Sequence, residues 1–232
     1  MSRPVAILAG GLATRLGDAA SRLPKSLVDV AGKPFVLHQL ALLAAAGFHD
    51  VVFCIGHLGS MLRDALGNGE HLGMCVRYSD EGDVRLGTGG ALRRALPMLG
   101  DSFLVLYGDS YLRCDYAAVE NAFDTSGCDA LMTVYRNEGA YDTSNVVYAD
   151  GRIVRYDKTE RTPDMRHIDY GLGVFRSSVF TPYPEDAAFD LADVYHACLR
   201  RESLAAYEVV ERFYEIGSPA GLAELRTLLS RP

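Results

Sequence analysis

The stretch Val5-Ala6-Ile7-Leu8-Ala9-Gly10-Gly11-Leu12-Ala13-Thr14-Arg15-Leu16-Gly17 decides how the chain is read. An apolar run that suits a buried strand breaks at a glycine pair, and a threonine and an arginine follow. A strand that opens into a glycine-rich turn presents backbone N–H groups to an anion, and Arg15 adds a full charge. The spacing excludes the two common phosphate loops. A dinucleotide fingerprint needs G-x-G-x-x-G, and a P-loop needs G-x-x-x-x-G-K-[ST]; neither begins at Gly10 or Gly11. Lys25 follows Pro24, which biases Leu23 out of a helix and puts the lysine on a loop.

Working outward, apolar runs of strand length alternate with helical ones. Strands are expected at Val5–Ala9, Val51–Ile55, Met74–Tyr78 and Phe103–Tyr107. Helices are expected at Phe35–Ala46, ended by Gly47, at Leu58–Leu66, and at Gly89–Leu96, stopped by Pro97. That alternation predicts an α/β fold, a parallel sheet with helices on both faces. The second half is richer in strands, at Ala130–Tyr135, Asn145–Tyr148, Ile153–Tyr156 and His167–Arg176, with Asp150-Gly151 as a hairpin turn. Helices are expected over Leu191–Arg201 and Pro219–Leu229. Nothing reads as a linker, so residues 1–232 are expected to form one domain.

Ligands of open α/β sheets sit beyond the carboxyl ends of the strands. Three such ends carry polar or small residues: Gly10–Arg15, the Ser79–Gly90 loop, and Gly108-Asp109. Within the loop, Gly87, Thr88 and Gly89 stand at a helix start, where an anion or a planar ring can approach closely. Asp109 ends a wholly apolar strand, a natural position for a Mg²⁺ carboxylate.

Composition narrows the function classes. The 232 residues carry a formal net charge of −7, which argues against a nucleic-acid scaffold. No apolar run reaches membrane-spanning length, and no secretory leader is read at the start. The cysteines at 54, 75, 114, 128 and 198 are odd in number and contain no C-x-x-C pair, as expected for reduced thiols in a cytoplasmic protein. Of 23 Lys+Arg, only Lys25, Lys33 and Lys158 are lysine. In that background a retained lysine suggests a compact charge placed on a phosphate.

These residues resemble the sugar-1-phosphate nucleotidyltransferases. The family's L-A-G-G-x-G-T-R-L is similar to Leu8–Leu16, with Ala13 at the third glycine, and its P-K-x-L is similar to Pro24-Lys25-Ser26-Leu27. Its L-G-T-x-x-A resembles Leu86–Ala91 and its G-D resembles Gly108-Asp109. Its E-K pair resembles Asp157-Lys158 and its N-x-G resembles Asp169-Tyr170-Gly171. Its D-x-G-[TS]-P resembles Glu215–Pro219. The heptose-1-phosphate guanylyltransferase and muramic-acid-1-phosphate uridylyltransferase branches are the most similar.

The resemblance implies a Rossmann-like, doubly wound mixed sheet in three α/β/α layers, with a nucleotide-binding half at 1–125 and an acceptor-binding half at 126–232. It implies Mg²⁺-dependent transfer of a nucleoside monophosphate from an NTP, with GTP favoured, to a sugar 1-phosphate. Leu8, Ala9, Gly10, Gly11, Thr14, Arg15, Lys25, Gly87, Thr88 and Gly89 would bind the nucleotide. Arg15, Lys25 and Asp109 would be catalytic, and Asp109 and Glu215 would hold the metal. Lys158, Asp157, Asp169 and Gly171 would bind the acceptor. A uridylyl- or cytidylyltransferase on another phosphorylated small molecule, and a catalytically silent nucleotide-binding module, are the competing readings. The partners implied are an NTP and a phosphorylated small molecule, with no nucleic acid and no membrane; a homo-oligomer stays open.

Overall fold

Val5–Leu8, with Val5, Ala6 and Ile7 entirely buried, is the hub of the structure. The computed structural model describes residues 2–11 and 23–230. In chain order the strands are β1 (Val5–Leu8), β2 (Asp29–Val30), β3 (Lys33–Pro34), β4 (Asp50–Ile55), β5 (Cys75–Asp80), β6 (Ser102–Tyr107) and β7 (Ser110–Leu112). They continue with β8 (Ala130–Arg136), β9 (Val146–Ala149), β10 (Arg152–Tyr156), β11 (His167–Arg176), β12 (Leu204–Val209) and β13 (Phe213–Glu215). The helices are α1 (Phe35–Ala45), α2 (Gly59–Leu66), α3 (Gly87–Leu99), α4 (Tyr116–Ser126), α5 (Leu191–Arg200) and α6 (Pro219–Leu229).

A nine-stranded sheet runs β10-β9-β11-β6-β1-β4-β5, with β8 on β11 and β12 on β8. The strands β6, β1, β4 and β5 are parallel; the near-continuous apolar sequences of β6, β1 and β4 suit strands covered on both faces, while the more polar β5 is at the edge. Beyond β6 the sheet turns antiparallel at β11, with Gly173 opposite Val105, so one sheet carries both halves of the chain. Successive side chains of β1 point to opposite faces. Val5 and Ile7 pack with α1, α2 and α4, while Ala6 packs with α3 and α5. These two cores make the three-layer α/β/α arrangement expected.

A smaller third core holds Val28, Val30, Phe35, Tyr111, Ile216, Leu222 and Leu225. It fixes α6 and the β7–β13 ladder beside the end of β6. Gly108 is sterically required there: a Cβ would stand 2.8 Å from Leu8 O and 3.0 Å from Ala9 Cα.

Several expectations are corrected. Pro97 does not stop a helix; α3 runs from Gly87 to Leu99 with Pro97 inside it. The proline removes one backbone hydrogen bond, but the next turn buries Leu99 completely, which offsets that loss. Gly100, with φ +67°, ends the helix instead. Helix α4 is an addition to the expected elements, although its signals are local. Tyr116, Val119 and Phe123 line its buried face, and the Asp115 side chain accepts the Ala118 N–H at its start. Strand β12 carries no strong pattern of its own and is a strand because it pairs parallel with β8. The Asp150-Gly151 hairpin forms as expected, with φ +50° and +76°.

Among the described residues no helix is long and apolar enough to cross a membrane.

Candidate active site

The carboxyl ends of β1, β4, β5 and β6 open onto one cleft of about 700 Å³. Its floor is the stretch Leu8-Ala9-Gly10-Gly11, held in place by its neighbours: Ala9 N–H donates to Cys54 O at 2.9 Å and Gly108 N–H to Leu8 O at 2.9 Å. Lys25, Gly87, Thr88 and Asp109 also line it. Thr14 and Arg15 lie outside the described residues.

Lys25 begins a 3₁₀ turn after Pro24, and its N–H reaches Gly11 O at 3.4 Å. The next residue, Ser26, is buried, and its hydroxyl donates to Gly108 O at 3.0 Å. These two contacts fasten the lysine turn to both strand ends. The Lys25 ammonium then donates to Asp109 Oδ2 at 2.9 Å.

Glu215 arrives through the β7–β13 ladder, which pairs it with Ser110, the residue after Asp109. Ile216 N–H donates to Asp109 O at 3.0 Å and completes the approach. The missing side chain of Gly217 leaves a hollow between these groups. A Cβ there would meet Glu215 Oε2 at 2.7 Å, Asp109 Oδ2 at 3.4 Å and Lys25 Nζ at 3.6 Å. Glu215 also orders the start of α6, because its carboxylate accepts from the Gly217 and Ser218 N–H groups and from the Ser218 hydroxyl.

Gly87 and Thr88 face the cleft, whereas Gly89 is buried against the Phe189 ring. The Leu191 N–H donates to Thr88 Oγ1 at 2.8 Å, tying the start of α3 to the start of α5.

The acceptor-side residues of the sequence lie toward β10, β11 and α5, outside the lining of the main cleft. Lys158 Nζ donates to Asp190 Oδ1 at 2.8 Å. Asp190 also caps α5, in a reciprocal box with Asp193. Burial opposes its ionised form, but Lys158 and the Ala192 N–H outweigh that and hold its pKa below the ordinary value. Asp157 folds back on its own turn, where Oδ1 accepts the Glu160 and Thr159 N–H groups and the Thr159 hydroxyl; these bonds lower its pKa to about 2. Asp169 Oδ1 accepts the Gly171 N–H at 3.0 Å. The protein around Asp169 desolvates its carboxyl and raises the pKa to about 6. Gly171, with φ +98°, stands beside the Tyr107 ring and the Ser110 hydroxyl.

Three side chains that the motifs do not single out also belong to this region. Glu81 follows β5 and stands between the ends of β1 and β4: a Cβ on Gly56 would meet its Oε1 at 2.7 Å and one on Gly10 at 3.3 Å. Its Oε2 accepts the Leu86 N–H at 3.2 Å, and desolvation raises its pKa. The position one residue past a strand end was its available signal. Asp190 and Tyr107 were signalled only by a helix cap and a strand end, both of which read as structural.

Among the described residues no group of three or more His, Cys, Asp or Glu gathers as a metal cluster. The pair Asp109 and Glu215 around the Gly217 hollow is the carboxylate arrangement present. It fits Mg²⁺, which takes one or two protein carboxylates and fills the rest of its octahedron with phosphate and water.

The chain is similar to proteins that use different bases. It is 28% identical over 228 residues to the N-acetylmuramate alpha-1-phosphate uridylyltransferase of Neisseria meningitidis serogroup B, covering 96% of each. It is 46% identical over 72 residues to the CMP-5'-(3-aminopropyl)phosphonate synthase of Streptomyces rubellomurinus, a match covering 31% of this chain and 11% of that protein. The structure of HddC from Yersinia pseudotuberculosis complexed with GMP-PN shares the fold, with a TM-score of 0.80 at 22% identity over 99% of this chain and 100% of that one. The MobA-like NTP transferase domain matches residues 5–223, which span the sheet, the cleft and the Asp109–Glu215 pair. The chain therefore belongs to the MobA-like NTP transferase family, within the sugar-1-phosphate nucleotidyltransferase superfamily, and is a nucleotidyltransferase.

Proposed function

We propose that the protein transfers a nucleoside monophosphate from an NTP, with GTP favoured, to a sugar 1-phosphate in the presence of Mg²⁺. The observation that carries this reading is the Lys25–Asp109 pair at 2.9 Å beside the Gly10-Gly11 turn. A cation, a metal-type carboxylate and the glycine turn then line one cleft at the strand ends.

In the reaction an oxygen of the acceptor phosphate attacks the α-phosphorus of the NTP. A new P–O bond forms, the bond to the β-phosphate breaks, and pyrophosphate leaves with its electron pair. No protein nucleophile is required. Lys25, with Arg15, neutralises charge that develops at the α-phosphate and on the leaving group. Asp109 and Glu215 would hold Mg²⁺, which supplies further neutralisation of the triphosphate when bound. Leu8, Ala9, Gly10, Gly11, Thr14, Gly87 and Thr88 hold the nucleotide within the 1–125 half, while Gly89, buried against Phe189, lets α3 start close to the cleft. The 126–232 half holds the acceptor through Lys158, Asp157, Asp169 and Gly171, and alignment of the two substrates supplies much of the rate.

Glu81 supports guanine. A guanine edge presents neighbouring N1–H and N2–H₂ donors, and the Glu81 carboxylate offers Oε1 at the cleft floor with no donor among the described residues. Uracil offers one such donor on that edge, and N3 of cytosine accepts. A cytidylyl transfer is the second reading, favoured by the likeness to the phosphonate synthase.

The test is pyrophosphate release with four NTPs crossed with a panel of phosphorylated acceptors. Turnover that requires one NTP and one acceptor, stops with chelator and returns with Mg²⁺ is the expected result. NTP binding without release from any pair would overturn the reading in favour of a silent nucleotide-binding module.

A further inference from the structure

Three aspartates converge on Tyr107. Asp169, Asp190 and Asp109 all place negative charge near its side chain. Each lysine nearby is already committed: Lys25 pairs with Asp109 at 2.9 Å and Lys158 with Asp190 at 2.8 Å. Asp169 is the carboxylate left over. Among the described residues no lysine, arginine or histidine comes within ion-pair distance of it, and its carboxylate accepts there from the Gly171 N–H.

Tyr156 adds an independent sign of a missing partner. Its side chain is 3% exposed, and its hydroxyl has no hydrogen-bond partner. That hydroxyl lies toward Asp169 without reaching hydrogen-bond geometry with it. A buried tyrosine hydroxyl without a partner, beside a desolvated carboxylate that holds one backbone N–H, is costly unless something occupies the space between them.

The charge balance says what that is. Any acceptor brings a phosphate, which takes Lys158. A neutral sugar would then leave Asp169 uncompensated near both Asp190 and the incoming dianion. A protonated amine on the acceptor restores the balance: ammonium to Asp169, phosphate to Lys158, with the Tyr156 hydroxyl as a further acceptor for an N–H.

Resting on the transferase reading above, we propose that the acceptor is a phosphorylated or phosphonylated molecule bearing a primary amine, whose ammonium group pairs with Asp169. An amino-sugar 1-phosphate and an aminoalkyl phosphate or phosphonate share this chemistry.

The experiment is pyrophosphate release with the preferred NTP and matched acceptors that differ in the amine charge. Glucosamine 1-phosphate is compared with N-acetylglucosamine 1-phosphate and glucose 1-phosphate. Phosphoethanolamine and 2-aminoethylphosphonate are compared with ethyl phosphate. The amine-bearing member of a pair is expected to exceed its neutral partner in kcat/KM by roughly ten- to a hundredfold, the worth of one charge-assisted contact. The pair that turns over tells a sugar from an alkyl source. In Asp169→Asn the preference collapses, mostly through KM of the amine substrate, so that the charged and neutral partners come to similar kcat/KM. Equal turnover of charged and neutral partners, or a preference that survives Asp169→Asn, overturns this assignment and leaves the transferase reading intact. No pyrophosphate from any pair overturns the transferase reading, and this assignment with it.

Discussion

The Lys25 ammonium donates to the Asp109 carboxylate at 2.9 Å although 84 residues separate them in the chain. One comes from a turn after Pro24 and the other from the end of β6; the buried Ser26–Gly108 contact locks them together. The pair is thus held by the protein's own packing, and in the proposed mechanism it supplies pre-arranged charge for phosphoryl transfer.

Lys25→Ala is expected to lower kcat by on the order of a hundredfold or more. Thermal unfolding should change little, since the pair is partly exposed and such pairs contribute about 1 kcal/mol or less. Near-wild-type turnover in a folded variant would remove Lys25 from the chemistry.

Glu215 has a structural role and a proposed metal role, and two substitutions separate them. Glu215→Gln keeps one carbonyl oxygen for the turn at Gly217 and Ser218, so its unfolding midpoint should stay close to that of the wild type. Its Mg²⁺ requirement should rise severalfold. Glu215→Ala loses the turn as well and should cost about 1 kcal/mol of stability. A Mg²⁺ titration unchanged in Glu215→Gln would leave Asp109 as the sole carboxylate on the metal.

Glu81→Gln exchanges one acceptor oxygen for a donor at the cleft floor. If guanine is read there, kcat/KM for GTP falls roughly ten- to a hundredfold while that for the other NTPs changes little. A uniform fall across all four NTPs would assign Glu81 to holding the Leu86 N–H rather than the base.

Asp169 titrates near pH 6 against an ordinary value of 3.8. Its folded-state pKa is raised, so the stability tied to its protonated form is complete below about pH 4. That stability is lost as pH rises through 6. Asp169→Asn should therefore match the wild type near pH 4 and exceed it at pH 7, by on the order of 1 to 2 kcal/mol in denaturant unfolding. In the wild type, kcat/KM for an amine-bearing acceptor should fall as pH drops through 6, where the carboxyl takes up its proton. Lys158, Asp190, Tyr107, Tyr156 and Tyr195 all bear on this group. Parallel stability curves from pH 4 to 7 would show that Asp169 is no longer desolvated in solution.

Lys158→Ala should raise KM for the acceptor and leave KM for the NTP unchanged. Because Lys158 also neutralises Asp190 at the start of α5, Lys158→Arg is the control: it keeps the charge but not the compact ammonium. A raised NTP KM instead would mean that the two substrates had been assigned to the wrong halves.

Much of this protein is written locally. The apolar run Val5–Leu8 closed by two glycines, the long apolar α1 segment ended by Gly47, and the Asp150-Gly151 hairpin need no partner to be recognised, because run length and turn chemistry belong to neighbouring residues. The ordered motifs likewise single out Lys25, Asp109 and Glu215, whose side chains gather around Gly217 in the fold. Other features depended on distant residues. Strand β12 exists by pairing with β8, and α3 runs past Pro97 because Leu99 finds a buried place. The same holds for charge. Asp169 reads in sequence as one more aspartate beside a lysine motif. Only the fold gives Lys158 to Asp190 and, among the described residues, leaves Asp169 beyond ion-pair distance of any lysine, arginine or histidine, since which charges neutralise one another depends on distances across the sheet.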